Sequence, residues 1–341
     1  MSQFADTLIA WQRAHGRHDL PWQASRDAYR VWLSEIMLQQ TQVDTVIPYY
    51  QRFLARFPDL ASLAAAPVDD VLALWSGLGY YARARNLHAA AQQIARMHGG
   101  RFPQSASAIA ELPGIGRSTA AAIAAFCFGE RAAILDGNVK RVLARHFGIE
   151  GFPGVRAVEQ SMWALAESLL PAQGVDTYTQ SLMDLGATVC TRNRPRCADC
   201  PVAGSCVARQ QGRQAELPTP RPTRVVPERQ SRVLIARNDG AVLLQKRPPH
   251  GIWGGLYALP EIPDELDAEA HALTLGLRAN GVATPLPPLR HAFTHFRLTL
   301  EPQLIDVSGE GIRDPAWRWA APHEWDSLGL PTPVRRLLDS L

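Results

Sequence analysis

The chain has 341 residues, of which 46% are hydrophobic and 20% are charged, and its formal net charge is only +3. This composition excludes a disordered or fibrous chain and predicts a soluble globular protein with two domains. The charge permits nucleic-acid binding but does not by itself indicate it. We expect a cytoplasmic protein, because Met1–Asp6 lacks the start of a signal peptide and the longest small and apolar run, Thr119–Phe128, is too short to span a bilayer.

Residues 1–210 are predicted to form an all-α domain, because Ala, Leu, Gln and Arg are frequent and apolar residues recur at helical spacing. The strongest predicted helices are Phe4–Ala14, Tyr29–Gln40, Val68–Ser76, Ala82–Met97, Ser118–Phe128 and Val158–Leu170. Breaks are expected at Pro48, Pro58, Gly77–Gly79 and Gly99–Gly100.

The composition changes after this helical part. Residues 211–228 hold four Pro and one Gly, which predicts an extended linker. Residues 229–341 are predicted to form a smaller α+β domain, because alternating apolar segments there are separated by turn residues. Its predicted strands are a hairpin and one later strand: Arg232–Ala236, Ala241–Gln245 and Arg297–Glu301.

Four cysteines form the most specific pattern: Cys190, Cys197, Cys200 and Cys206. Four thiols within 17 residues are unlike a secreted disulfide framework, and they predict a site for one metal ion or cluster. Structural zinc usually takes two Cys-x-x-Cys pairs, whereas this segment has one, so the spacing leaves zinc and an iron–sulfur cluster open. Nine Arg and three acids lie between residues 190 and 232, a balance that suits phosphate contact or a solvated linker.

A second pattern is Leu112-Pro113-Gly114-Ile115-Gly116, which stands directly before the predicted helix that contains Ser118. The two glycines allow a tight turn, so that the backbone could approach a DNA phosphate at the N-terminus of the next helix. The same turn also fits a plain connection between two helices. About 20 residues later, Asp136 precedes a further helix, where it is either an N-cap or a carboxylate aimed at a reacting sugar.

In this order, the hairpin, Asp136 and the cysteine spacing resemble the helix–hairpin–helix glycosylase superfamily of the endonuclease III type, over residues 20–210. The resemblance implies two helical subdomains with a DNA-binding cleft between them. It also implies that the four cysteines hold a 4Fe–4S cluster rather than zinc, and that Asp136 is catalytic.

Ser118 and three longer segments indicate which members of the superfamily are most similar. Lyase members carry a Schiff-base lysine two positions after the second hairpin glycine, where this chain has Ser118, which cannot form an imine. Val31–Val43, Leu74–Asn86 and Leu135–Val142 are similar to the signatures of the adenine DNA glycosylases. The resemblance implies a monofunctional enzyme that removes adenine mispaired with 8-oxoguanine or guanine. Its partner would be double-stranded DNA, and we expect a monomer.

Glu35 is the expected acid of this reaction. Its neighbours in the sequence are mostly apolar, so the pKa of its carboxyl should be raised and the group should stay protonated at neutral pH. By resemblance, Glu35 protonates adenine at N7 and Asp136 stabilises the positive charge that develops on the deoxyribose. Asn138 is expected to hydrogen-bond within the same site.

The resemblance also implies DNA contacts outside this reaction centre. Gln40 and Tyr80 would wedge into the duplex on the 8-oxoguanine side, although either could instead pack within the fold. Trp22 would line the base pocket or fill core. Two further candidates for DNA contact are Ser118, just after the hairpin, and Lys140, which follows Asp136 closely in the sequence.

Residues 229–341 resemble a Nudix hydrolase fold. The scattered acids of residues 261–281 do not form the Arg-Glu-x-x-Glu-Glu box that binds magnesium, so pyrophosphate hydrolysis is not expected. In adenine glycosylases this domain contacts 8-oxoguanine through a loop usually written Phe-Ser-His, and the matching residues here are Phe293, Thr294 and His295. Thr294 keeps the hydroxyl of the usual serine and adds a methyl group.

Two other functions stay open at this point. A bifunctional glycosylase-lyase for oxidised pyrimidines, of the endonuclease III type, is disfavoured by Ser118 and by the appended domain. A catalytically silent damage-binding protein is disfavoured by the presence of both Glu35 and Asp136.

Overall fold

The structure, a computed structural model, describes residues 3–222, 225–312 and 314–341. The chain divides into two compact units. The first unit takes the described residues of 1–50, 59–61 and 89–223, and the second takes those of 51–58, 62–88 and 224–341. Part of the predicted helical domain is therefore packed with the C-terminal segment, for instance through Leu72, which lies against the backbone of Gly329. The sequence-based domain boundaries at 210 and 228 stay predictions.

The helices before residue 211 are α1 (Gln3–His15), α2 (Ala28–Leu38), α3 (Val43–Arg56), α4 (Leu60–Ala65), α5 (Val68–Trp75), α6 (Ala82–Met97), α7 (Ala106–Ala110), α8 (Arg117–Phe128), α9 (Gly137–Phe147), α10 (Arg156–Ser168), α11 (Val175–Asp184) and α12 (Val207–Gln210). Short 3₁₀ turns lie at Pro21–Gln23, Cys197–Asp199 and Ala203–Ser205, and a π turn at Leu185–Val189. The six helices predicted from the sequence are confirmed to within two residues at each end.

The predicted break at Pro48 is wrong, because Pro48 lies inside α3. Val46, Tyr50 and Phe53 of this helix are buried. Packing of an amphipathic face supplies most of a helix's stability in a folded protein, and here it outweighs the hydrogen bond that the proline cannot make.

The core of the first unit surrounds the alanine-rich helix α8. Ala120–Ala125 are all buried, and these small side chains let α2 and α11 pack closely on α8. Glycines close both α8 and α9, since Gly129 and Gly148 adopt the left-handed conformation just after each helix. Because α2 and α11 both pack on α8 and α11 also contacts α9, this packing positions α2 and α9 for the candidate site.

The second unit contains a mixed sheet. Its strands are β1 (Glu228–Asn238), β2 (Ala241–Lys246), β3 (Tyr257–Ala258), β4 (Arg278–Ala279), β5 (Thr284–Pro285), β6 (Leu289–Ala292), β7 (Arg297–Ser308) and β8 (Trp317–Ala320). The main strand order is β3-β2-β1-β7-β4, with β8 on β2 and with β5 and β6 on β7. Strands β1 and β7 run parallel with Arg232 opposite Glu301, and β1 and β2 form the predicted hairpin.

Helices cover the two faces of this sheet. One apolar core forms between the sheet and α14 (Thr332–Leu338), which follows a 3₁₀ turn at Pro322–Ser327. The other core includes residues of α13 (Ala268–Thr274). The turn between β6 and β7 carries residues 293–296, so the sheet fixes both ends of the predicted lesion-contact loop.

The first part of the predicted linker is not extended. Leu217 is 2% exposed, and its carbonyl accepts a 2.8 Å hydrogen bond from Nε of Arg145 in α9. Residues 223 and 224 of the predicted linker lie outside the described residues. The chain therefore leaves the first unit only after Leu217. Across the described part of the chain, no helix is long and apolar enough to cross a membrane.

Candidate active site

A cavity of about 430 Å³ opens in the first unit, a volume in the usual range of small-molecule sites. Its lining includes Trp22, Glu35, Phe126 and Gln180. Trp22 is buried and meets the ring of Tyr50 edge-on, with the ring centroids 5.5 Å apart. The fold therefore brings Trp22 and Glu35 to the wall of one cavity.

Glu35 lies in α2, where the residues around it are buried in the core. Burial raises the pKa of its carboxyl to about 8, and the negative charge of Asp136 adds to this effect. This is the direction predicted from its apolar neighbours. A carboxyl with this pKa carries its proton at neutral pH and can donate it to a group in the cavity.

Asp136 is the N-cap of α9. One carboxylate oxygen accepts a 2.8 Å hydrogen bond from the Val139 amide, and the other lies 3.4 Å from Nδ2 of Asn138. Burial raises the pKa of Asp136, but the Val139 amide and the charge of Arg141 act in the opposite direction. Because both influences on Glu35 favour its neutral form, we place the proton of this pair on Glu35 and the charge on Asp136.

Arg141 joins the site to the cysteine-containing segment, a role that we did not predict from the sequence. Its Nη2 donates to Oδ1 of Asn138 at 2.7 Å and to the Gly186 carbonyl at 2.8 Å. Its Nε donates to the Cys190 carbonyl at 2.7 Å. Its place in the segment Leu135–Val142 was the one sequence feature that could have indicated a role for Arg141. The contacts themselves could not be predicted, because two of the acceptors are carbonyls more than 40 residues away.

Gly186 holds Asn138 by close approach of the backbone. A Cβ atom at Gly186 would lie 2.5 Å from Cβ of Asn138, a distance that real side chains do not tolerate. Asn138 is thus confined between the backbone of the π turn and the guanidinium of Arg141. This arrangement fixes Asn138, whose amide nitrogen lies 3.4 Å from the Asp136 carboxylate.

The hairpin has the predicted shape, whereas two predicted contact residues near it have partners within the chain. Gly114 has φ = 75°, and the exposed Gly116 caps α8. The Ser118 hydroxyl accepts a 2.9 Å hydrogen bond from the Leu135 amide and so ties α8 to the residue before Asp136. Nζ of Lys140 lies 2.6 Å from Oε1 of Glu159. Contact of these residues with DNA stays a prediction.

The four predicted cysteine ligands line one cavity of about 30 Å³: Cys190, Cys197, Cys200 and Cys206. None of them forms a disulfide. Within residues 3–222, 225–312 and 314–341, no three ligating side chains are close enough together to hold a single metal ion. A four-iron cluster spaces its thiolates more widely than one ion does, so four cysteines around one cavity suit the cluster.

Arg145 organises this cysteine cavity and was also missed. It is 3% exposed, and its Nη1 lies 3.5 Å from Sγ of Cys190. Its other hydrogen bonds go to the carbonyls of Thr191, Arg192 and Leu217. Arg145 therefore connects the first cysteine to the end of the first unit.

The second unit brings together the predicted lesion-contact residues Tyr80 and Thr294. The Tyr80 hydroxyl lies 3.5 Å from Oγ1 of Thr294, and both side chains are exposed. Phe293 stacks on Phe296 with ring centroids 4.4 Å apart, which leaves Thr294 and His295 exposed at the tip of the turn.

Gln40 and Tyr80 share an unusual backbone. Gln40, just after α2 in the first unit, has φ = 59°, and Tyr80 has φ = 49°. Residues other than glycine rarely occupy this left-handed region, and those that do are concentrated at functional sites. Both predicted wedge residues are exposed, in keeping with contact to a ligand rather than core packing.

Two family models match the chain. One, described as an HhH-GPD superfamily base excision DNA repair protein, matches residues 33–168, and the other, a NUDIX domain, matches residues 232–340. A solved thermostable thymine-DNA glycosylase superposes with a TM-score of 0.55 at 29% identity and covers 61% of this chain and 95% of its own. An endonuclease III–DNA complex gives a TM-score of 0.52 at 19% identity, with 61% and 94% covered, and supports the fold alone.

Curated relatives match over almost the whole chain. The adenine DNA glycosylase of Buchnera aphidicola (subsp. Acyrthosiphon pisum) is 36% identical over 340 residues, covering 99% of this chain and 97% of the relative. That of Homo sapiens is 32% identical over 402 residues, covering 99% and 73%. These matches confirm the predicted helical glycosylase domain followed by a Nudix-like domain, and they confirm a DNA glycosylase activity. The chain therefore belongs to the adenine DNA glycosylase family.

Proposed function

We propose that this glycosylase hydrolyses the N-glycosidic bond of adenine mispaired with 8-oxoguanine or guanine in double-stranded DNA, and that it acts as a monomer without cutting the strand. The observation that carries the proposal is Glu35, a carboxyl that burial keeps protonated at the wall of a 430 Å³ cavity. Asp136, whose negative charge acts on Glu35, is proposed to serve the same reaction in its ionised form. An acid and an anion with opposite protonation states are the pair that this hydrolysis requires.

The reaction begins when the adenine leaves the base stack and enters the cavity beside Trp22. Glu35 transfers its proton to N7 of the base, which makes adenine a better leaving group. The bond between C1′ and N9 then breaks, and Asp136 stabilises the positive charge on the sugar. Water adds a hydroxyl to C1′, and the proton released restores the Glu35 carboxyl. Asn138, held by Arg141, keeps Asp136 oriented.

Strand cleavage by a lyase step is not part of the proposal. The position of the lyase lysine is Ser118, whose hydroxyl is engaged by the Leu135 amide. Lys140 is the nearest lysine in sequence, and its ammonium group is paired with Glu159. This ion pair holds the Lys140 ammonium group at Glu159.

The central experiment uses a labelled duplex with one A:8-oxoguanine pair, incubated with purified protein and resolved on a gel with and without hot alkali. We expect cleavage at the adenine only after alkali, with A:G cut more slowly and A:T left intact. A duplex with an oxidised pyrimidine serves as the control for the endonuclease III type. Nicking without alkali, or excision only from the oxidised-pyrimidine duplex, would contradict the proposal.

The cysteine cavity is proposed to hold a 4Fe–4S cluster on Cys190, Cys197, Cys200 and Cys206. When bound, the cluster cross-links the loop through four thiolates, while Arg145 fixes the backbone next to Cys190. Purified protein should be yellow-brown, with absorbance at about 400 nm from thiolate-to-iron charge transfer. Cys197→Ser should lose this colour, and Cys127→Ser in α8 should keep it. Colourless protein with one equivalent of zinc would rule out the cluster.

Tyr80, Gln40 and the loop Phe293–His295 are proposed to contact 8-oxoguanine. Exposed side chains on strained backbone support this for Gln40 and Tyr80. The 3.5 Å approach of Tyr80 to Thr294 supports a shared ligand for these two residues, which are 214 positions apart in the chain. Affinity for A:8-oxoguanine and A:G duplexes in Tyr80→Ala tests this, since loss of a lesion contact should lower only the first.

A further inference from the structure

The turn between α5 and α6, residues 76–81, presents Tyr80 in a strained conformation. Gly77, Gly79 and Tyr80 have positive φ values of 97°, 71° and 49°. A tyrosine side chain disfavours left-handed backbone, so Tyr80 keeps this conformation only where neighbouring contacts impose it. The residues that impose it therefore control where the Tyr80 ring points.

Both ends of the turn are hydrogen-bonded to one carbonyl of the C-terminal segment. Ser76 Oγ donates to the Leu330 carbonyl at 2.7 Å, and the buried Tyr81 hydroxyl donates to the same oxygen at 3.1 Å. The Gly77 amide donates to the Tyr81 hydroxyl at 3.3 Å. The Tyr81 hydroxyl thus links Gly77, near the start of the turn, to the Leu330 carbonyl. Tyr81 is also the residue that follows Tyr80 in the chain.

Leu330 is a firm attachment point. Its side chain is fully buried in the core between the sheet and α14. The next residue, Pro331, caps the N-terminus of α14, which restricts the backbone on that side as well. Because the core and the start of α14 fix the position of the Leu330 carbonyl, this carbonyl constrains the conformation of the turn.

Two further contacts hold the same segment of the second unit. Nη1 of Arg85 donates to the Gly254 carbonyl at 2.7 Å, and Nζ of Lys246 lies 2.6 Å from Oδ2 of Asp69. These contacts fix α5 and α6 but not the turn between them. Ser76 and Tyr81 tie the turn to the C-terminal segment.

The turn is also held by its flanking helices. Nε1 of Trp75 donates to the Gly79 carbonyl at 3.2 Å, and Nη2 of Arg83 donates to the Leu78 and Gly79 carbonyls at 3.3 Å. Ser76 and Tyr81 are therefore the side chains through which the C-terminal segment acts on the turn.

We propose that Tyr81 is a positioning residue for Tyr80, through which the Leu330 carbonyl of the C-terminal segment sets the wedge that contacts the lesion. This inference rests on the proposed function, because it assumes that Tyr80 contacts 8-oxoguanine. The C-terminal segment then acts on lesion preference in two ways. Its loop at Thr294 contacts the lesion directly, and its Leu330 carbonyl holds the turn that carries Tyr80.

The test compares Tyr81→Phe with wild type in the full chain, using single-turnover excision rates and affinities for A:8-oxoguanine and A:G duplexes. The substitution removes two hydrogen bonds, one donated to the Leu330 carbonyl and one accepted from the Gly77 amide, and should lower the preference for A:8-oxoguanine by about tenfold. Excision opposite guanine should be unchanged, because Glu35 and Asp136 lie in the other unit. Tyr257→Phe is the matched control, since the Tyr257 hydroxyl makes no hydrogen bond within the described residues. Should Tyr81→Phe fold poorly, Ser76→Ala removes the other donor to Leu330 and carries the same expectation.

The same measurements in a Tyr80→Ala background separate positioning from a general structural role. If Tyr81 acts through Tyr80, then Tyr81→Phe should have no further effect on the preference once Tyr80 is absent. An equal loss in both backgrounds, or a wild-type preference in Tyr81→Phe, would overturn the inference while leaving the proposed function intact. A wild-type protein that excises adenine without preference for A:8-oxoguanine would remove both this inference and the proposed lesion contact of Tyr80.

Discussion

The proposed excision site of the first unit and the proposed lesion-contact residues of the second unit depend on different physical effects. Burial raises the pKa of Glu35 and so favours the protonated carboxyl that the proposed reaction requires, whereas the Val139 amide and Arg141 favour the charged form of Asp136. Tyr80 and Thr294 are exposed, and their position derives from strained backbone and a sheet turn. If the proposed roles are right, excision depends on the burial of Glu35, whereas lesion recognition depends on the exposure of Tyr80 and Thr294.

Removing the buried proton should have the largest effect. Glu35→Gln keeps the shape of the side chain and loses the acidic proton, so adenine release should fall by about 10²- to 10⁴-fold. Binding to an A:8-oxoguanine duplex should remain, because the lesion contacts lie elsewhere in the chain. Single-turnover rates measured beside affinities decide this. Near wild-type excision by Glu35→Gln would show that the burial of this carboxyl has no catalytic role.

Disturbing Asn138, which lies beside Asp136, should have the next largest effect on the excision rate. Gly186→Ala places a Cβ atom where Asn138 already lies, so the side chain beside Asp136 must shift. Misplacement by about 1 Å at a reaction centre costs on the order of 100-fold in rate. Gly137→Ala is the control, since a Cβ there meets nothing within 4 Å. Equal excision rates in the two variants would contradict a positioning role for this contact.

Removing the C-terminal segment sharpens the comparison further. A chain that ends at Pro222, beyond the buried Leu217, retains Glu35, Asp136 and the four cysteines but lacks the loop at Thr294. It should still excise adenine opposite guanine. Its preference for 8-oxoguanine should fall by about tenfold to 100-fold, since more than one hydrogen-bonded contact is lost.

The ratio of single-turnover rates on A:8-oxoguanine and A:G duplexes measures this loss. Unfolding of the truncated and full chains by circular dichroism is the control, because residues 62–88 pack with the C-terminal segment. An unchanged ratio would mean that this segment does not contact the lesion. Loss of excision on both duplexes in a folded truncated chain would mean that the two functions are not separable.

The pH dependence of excision tests the origin of the proton. Glu35 is active when protonated, and its pKa is raised to about 8, so the excision rate should hold through neutral pH and fall as pH rises through 8. Above that point the expected decline is about tenfold per pH unit. Duplex affinity over the same range is the control for changes in binding. A rate that increases above pH 8 would place the essential proton on another group.

Substitutions at the tip of the β6–β7 turn should have the smallest effects. Thr294→Ala and His295→Ala should each lower the preference for 8-oxoguanine by about three- to tenfold, because each removes one hydrogen-bonding group. Thr294→Ser keeps the hydroxyl and should match wild type. Rates and affinities on the paired duplexes measure the preference, and a loss in Thr294→Ser would assign the effect to the methyl group.

Much of this protein was determined by local sequence. Apolar periodicity gave the helices to within two residues, because amphipathic spacing specifies which face is buried. The cysteine spacing and the apolar neighbours of Glu35 indicated a ligand set and a proton donor, because both properties depend on residues adjacent in the chain. The predicted break at Pro48 was wrong because tertiary packing, not local sequence, decides the structure there. Packing of Val46, Tyr50 and Phe53 outweighs the local preference of a proline, and no local pattern reports that energy.

The connections between segments were decided only by the tertiary structure. Arg141 donates hydrogen bonds to carbonyls 45 and 49 positions away, and Tyr81 donates to a carbonyl 249 positions away. Because every residue has a backbone carbonyl, the sequence does not indicate which of them will accept such a hydrogen bond. The grouping of residues 62–88 with the C-terminal segment has the same origin, since it follows from which buried surfaces meet. Local patterns specify which residues can react, whereas long-range hydrogen bonds and packing decide which residues hold them in place.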